Sequence, residues 1–79
     1  MAWIYQITPE MKKAERLCNE RGIYMKIVII HDRYDYIYID YWDTEQEKRS
    51  PKPYLSIKEA EMIIYNHYIK ICKKLKIPL

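Results

Sequence analysis

The sequence predicts a single small α+β domain in the order β-α-β-β-α, and three observations carry that prediction. Tyr34 to Asp43 alternates side chains with the two-residue period of a strand, and Ile23 to His31 just before it is almost continuously apolar. Ile57 to Leu75 instead repeats its apolar residues at helical spacing. Together they predict an antiparallel hairpin (about 23–31 and 35–43), an N-terminal strand, and two packed helices (about 9–21 and 57–75).

Ala2-Trp3-Ile4-Tyr5-Gln6-Ile7 is short, aromatic and β-branched and is stopped by Pro9, so it reads as the first strand. Thr8 is then a natural N-cap, with Pro9 at the first helical position and Glu10 placed well against the helix dipole. Met11, Ala14, Leu17, Cys18 and Arg21 follow helical spacing. Gly22, the one glycine in the chain, falls where a left-handed C-terminal cap is required, which gives it a structural role rather than one in a phosphate loop.

Ile23 to His31 reads as a central strand buried on both faces. Asp32-Arg33-Tyr34-Asp35 supplies the turn, and the next strand returns antiparallel. A three-residue loop sets Lys26 opposite Asp40, Ile27 opposite Ile39 and Ile29 opposite Ile37, which pairs opposite charges and collects the isoleucines on one face. The other face then carries Tyr24, Val28, Ile30, Tyr36, Tyr38 and Trp42. A slip of one residue would set Ile27 against Asp40 and exchange the faces.

From about 44 to 55 the chain is charged and contains Ser50-Pro51-Lys52-Pro53, which predicts a flexible, solvated loop. Ser56 and Glu59 form a capping box that opens the last helix, and lysines gather in its final turns before Pro78. Ile57, Ala60, Ile64, Tyr68, Ile71 and Leu75 make one stripe, while Met62, Tyr65, Ile69 and Cys72 widen it beyond what docking on a sheet requires. The plain account of the excess is packing on the first helix; self-association is the functional one.

Composition bounds the function. The 79 residues form one domain, 1–79, close to the size at which a single core gives only ~3–5 kcal/mol of net stability, so oligomerisation would help. With 49% apolar residues, one Gly and four Pro, the chain has the composition of a folded domain. The net charge of +3 is modest but uneven: six carboxylates lie between Asp32 and Glu47, while Lys48, Arg49, Lys52 and Lys58 follow, and Lys70, Lys73, Lys74 and Lys76 close the last helix. No signal-peptide pattern and no membrane-length apolar run is read, so the expected location is cytoplasmic, with no membrane partner. Two cysteines are too few for a disulfide framework and are expected as partly buried free thiols; a Cys18–Cys72 bridge between the helices needs Cα atoms within ~7 Å, and the expected intracellular setting argues against it.

Catalytic and metal chemistry finds little support. Cys18, His31, His67 and Cys72 have no zinc-ligand spacing, and His67 and Cys72 are about 140° apart on a helix. Asp32 with Asp35 and Asp40 with Asp43 are more simply turn formers and edge charges than an acid–base pair. No phosphate loop, nucleophile elbow or triad pattern is present. The expectation is a protein that is not an enzyme and uses no cofactor or metal.

Two binding functions remain. In the first, the chain is a protein-interaction module, expected to be a homodimer, with Tyr24, Tyr36, Tyr38 and Trp42 on the sheet or Tyr65 and Ile69 on the long helix as its contact surface. Its acidic hairpin would also suit a foreign protein with a basic surface, and the isoleucine- and lysine-heavy composition suits a viral or mobile-element protein that binds a host factor. In the second, Lys48, Arg49, Lys52, Lys70, Lys73, Lys74 and Lys76 bind nucleic acid, against the local cost of Asp35, Asp40 and Asp43. Ser56-Ile57-Lys58-Glu59-Ala60 resembles the start of the last helix in double-stranded-RNA-binding domains over that segment alone. Glu59 and Glu61 stand where that pattern carries lysines, and no third consecutive strand is read, so membership is not inferred.

Overall fold

A computed structural model describes residues 7–31 and 35–79. Within them the order is α1 (Pro9–Asn19), β1 (Tyr24–His31), β2 (Asp35–Trp42), β3 (Glu47–Arg49) and α2 (Ile57–Lys74). The expected N-terminal strand and the tip of the first hairpin lie outside the described residues. The strands form one antiparallel sheet in the order β1-β2-β3, and α2 lies against α1, β1 and β2.

Local chemistry sets the element ends. The Thr8 hydroxyl accepts the Met11 amide at 3.2 Å, and Pro9 opens α1 as the cap requires. At the other end Gly22 takes φ +78°, with Ile23 N–H donating to Cys18 O and Gly22 N–H to Asn19 O, each at 3.0 Å. These are the two bonds of a Schellman cap. The Ser56 hydroxyl caps α2 by accepting Glu59 N–H at 3.1 Å, but the Glu59 carboxylate reaches the Leu55 amide, one residue earlier than a reciprocal box would have it.

The register pairs Lys26 with Asp40, Ile27 with Ile39, Ile29 with Ile37 and His31 with Asp35, which leaves residues 32–34 between the strands. Met25, Ile27, Ile37 and Ile39 therefore face the helices, where they join Met11, Ala14, Cys18, Ala60, Ile64, Tyr65, Tyr68 and Cys72. One hydroxyl ties the layers together. Tyr68, only 1% exposed, accepts the Met25 amide of β1 at 2.8 Å and lies 3.5 Å from both Asn19 Oδ1 and the Met25 carbonyl.

Two expectations are corrected. β1 is not buried on both faces, since Tyr24 is 39% and Ile30 36% exposed on the side away from the helices, and among the described strands it is β2 that has a neighbour on each side. The reason is the second correction, since part of the supposed loop is a strand on the far side of β2. Asp40 pairs with Arg49, Tyr41 with Lys48 and Trp42 with Glu47. The turn between them is held by the Asp43 carboxylate, which accepts the Glu45 and Gln46 amides at 2.8 and 2.9 Å. Past β3 the chain still follows β2: Ser50 N–H donates to Ile39 O, the Ser50 hydroxyl accepts Ile39 N–H, and Tyr54 N–H donates to Ile37 O. A serine side chain thus serves the ladder beside prolines that lack a donor.

Candidate functional site

Strand alternation delivers Tyr24, Lys26, Val28 and Ile30 from β1, Tyr36, Tyr38, Asp40 and Trp42 from β2, and Glu47 and Arg49 from β3 to the outer face of the sheet. No described element packs on it. Tyr24 and Trp42, direct cross-strand partners, stack with centroids 5.6 Å apart and planes 18° from parallel. The Lys26 ammonium lies 5.9 Å from the Trp42 ring and the Arg49 guanidinium 5.9 Å from the Tyr38 ring, so the aromatic rings and cations form one connected layer.

Asp40 sits within this layer as half of an ion pair. Arg49 Nε and Nη2 reach its two carboxylate oxygens at 2.6 and 3.0 Å, a forked contact that holds the Asp40 carboxyl below its ordinary range. The four charged side chains of the face, Lys26, Asp40, Glu47 and Arg49, cancel. Beside Trp42 the face dips into a hollow of about 480 Å³ lined by Lys26, Asp40, Asp43, Glu45, Gln46 and Glu47. Asp43 is spent on the turn and on the Tyr41 hydroxyl, which donates to it at 2.8 Å and whose pKa that bond raises to about 12.

The chain matches no protein-family model, no curated protein and no solved structure. Function must be argued from these residues alone.

Of the expected contact residues, the structure brings Tyr24, Tyr36, Tyr38 and Trp42 onto one surface and removes Tyr65 from it. Tyr65 is 6% exposed, and its hydroxyl accepts from Lys12 of α1 at 2.8 Å, so it is a core residue of the helix pair. Ile69 is half-buried and packs on the same core. The wide apolar surface of α2 is accounted for by α1 on one side and the sheet on the other.

The basic residues are all exposed but do not share one face. Arg49 points to the outer side, while its neighbour Lys48 lies on the helix side, 5.3 Å from the Tyr41 ring. There Lys48 borders a groove of about 430 Å³ with Ile39, Tyr41, Tyr54, His67 and Ile71. Lys70, Lys73, Lys74 and Lys76 lie on the last turns of α2 and just past them. Among the described residues no three His, Cys, Asp or Glu side chains gather as a metal site, and no helix is long and apolar enough to cross a membrane. His31 and Asp35 pair at 2.7 Å in the open.

Sequence reasoning missed the Asp40–Arg49 pair. It depends on β3, whose Glu47-Lys48-Arg49 has no apolar alternation to mark a strand.

Proposed function

We propose that this chain is a non-catalytic protein-interaction module that pairs with a second copy of itself through the outer face of its sheet. The observation that carries the reading is the composition of that face. Tyr24, Ile30 and Tyr36 stay 36–39% exposed beside Val28, Tyr38 and Trp42, an aromatic and aliphatic surface of the kind that fills the centre of protein interfaces. Its charges sum to zero, with Asp40 and Arg49 paired, so two copies related by a two-fold axis meet without net charge repulsion. A polyanion gains nothing from such a surface. α2 is the weaker candidate because Tyr65 is already used.

The test is the mass of the chain by light scattering across concentration, for the native sequence and for Ile30→Lys combined with Tyr36→Asp. These two residues are cross-strand partners, so the replacement keeps an attractive pair in the sheet while charging the face. The reading expects a concentration-dependent dimer that the double variant abolishes. A native chain that stays monomeric refutes it, and a monomer that instead captures a basic protein through Glu45 and Glu47 assigns the face to a foreign partner.

One observation favours a second reading, nucleic-acid binding. Arg49 neutralises Asp40, and β3 supplies the third consecutive strand whose absence had set the RNA-binding resemblance aside. Lys70, Lys73, Lys74 and Lys76 would then meet phosphates. Binding that falls steeply with salt and is lost on Lys73→Glu with Lys74→Glu supports this reading, and no binding at low salt removes it.

A further inference from the structure

We propose that Cys18 and Cys72 are the two halves of a latent disulfide that staples α1 to α2. Their Sγ atoms lie 3.8 Å apart, and both residues are 0% exposed. Each thiol is directed at the opposite helix: Cys18 Sγ is 3.7 Å from the Tyr68 carbonyl oxygen, and Cys72 Sγ is 3.8 Å from that of Ala14.

The arrangement is reciprocal. Tyr68 precedes Cys72 by four residues and Ala14 precedes Cys18 by four, so each carbonyl is also the helical acceptor for the cysteine of its own helix. Converting the thiols to a disulfide therefore orphans neither carbonyl. A disulfide has a bond length of ~2.05 Å, so the sulfurs must approach by roughly 1.8 Å. A side-chain rotation at each cysteine with a small shift of α1 supplies that approach, and Ala14, fully buried at the contact, keeps the helices close.

The staple suits a chain of this size. At 79 residues a single core gives only a small net stability, and domains near this limit gain most from a covalent link. The cysteines are 54 positions apart, so the bond would strongly restrict the unfolded chain.

The chemistry balances with a small disulfide such as oxidised glutathione. One cysteine thiolate attacks it, forming a mixed disulfide and releasing one glutathione thiolate; the other cysteine then attacks the protein sulfur of that mixed disulfide and expels the second. The two thiol protons pass to the two glutathiones, which take up the two electrons that the protein loses. Burial pushes the Cys18 thiol up to about 12, so exchange is slow in the closed fold. The bond forms during folding and is shielded once made.

The experiment refolds the native chain with and without a glutathione redox buffer, alkylates it in denaturant, and reads intact mass, peptide map and Tm. The proposal expects, from the oxidising buffer, a chain with no alkylatable thiol and a Cys18–Cys72 peptide. Its Tm should exceed that of the reduced form by roughly 10 °C or more, a gain that reduction in denaturant abolishes. Full alkylation of both thiols, links only between molecules, or an unraised Tm overturns it.

Discussion

Tyr68→Phe removes one oxygen atom from the centre of the molecule and isolates the bond that joins α2 to β1. The ring stays in place, so packing is conserved and no large cavity opens. What is lost is the acceptor for Met25 N–H at 2.8 Å, at a side chain 1% exposed. A neutral bond contributes about 1 kcal/mol net, whereas an amide left unpaired in a dry contact costs about 1–3 kcal/mol. The contact is part-buried at Met25, so the expected loss spans about 1–3 kcal/mol. Near this chain length each kcal/mol lowers Tm by about 4–8 °C, so a fall of roughly 5–20 °C is expected. Urea unfolding followed by circular dichroism measures the loss, and amide exchange at Met25 locates it. A second signature is alkaline. Burial raises the Tyr68 hydroxyl to about 12. The unfolded chain thus ionises first, and this residue's stabilisation is present below pH ~10 and lost as pH rises toward 12. Tyr41 and Cys18, also raised to about 12, contribute in the same direction, so the variant flattens the alkaline decline without abolishing it. Stability within about 0.5 kcal/mol of the native chain, with unchanged exchange at Met25, would refute the reasoning.

Other perturbations test the same physical account. Gly22→Ala should cost about 1–2 kcal/mol in urea unfolding, because the position has φ +78° and an added Cβ would stand 3.2 Å from Thr44 Cγ2. Lys76 occupies the equivalent cap of α2 at φ +58°, with Ile77 N–H bonded to Cys72 O at 2.8 Å, so Lys76→Gly should raise stability by up to about 1 kcal/mol. Asp43 is held below its ordinary range first by the Glu45 amide and then by the Tyr41 hydroxyl. Its contribution is therefore present above pH ~4 and lost as pH falls through the lowered value, and Asp43→Asn should blunt acid unfolding measured by circular dichroism. Ser50→Ala leaves Ile39 N–H without its hydroxyl partner and should cost about 1 kcal/mol, with faster exchange at the Ile39 amide.

Much of this fold was legible where one physical preference acted alone. Thr8-Pro9 and Gly22 mark α1 because few residues meet those backbone demands, and the hairpin register followed from setting Lys26 against Asp40 while keeping Ile27 and Ile39 together. β3 was not legible. Glu47-Lys48-Arg49 has neither β-branched residues nor alternation, and its pairing is specified by the Asp43 turn and the Arg49–Asp40 contact, both of which need the folded chain. That gap left the far side of β2 without a strand in the sequence reading and gave Asp40 only Lys26 as a partner. Tyr65 and Tyr68 illustrate the same limit on a helix. Spacing identified them as apolar-stripe residues, yet only the position of α1 and β1 decides that both hydroxyls are used internally, by Lys12 and Met25. The outer-face tyrosines were recognisable because alternation alone separates them from the isoleucines.

The most direct test of the proposed pairing is a concentration series of two-dimensional NMR spectra on the native chain. Shifts that grow with concentration should gather on Tyr24, Val28, Ile30, Tyr36, Tyr38 and Trp42, while the buried helix residues Ala14, Cys18 and Tyr68 stay fixed. Spectra that do not change with concentration, or changes confined to the lysines at the end of α2, would contradict it.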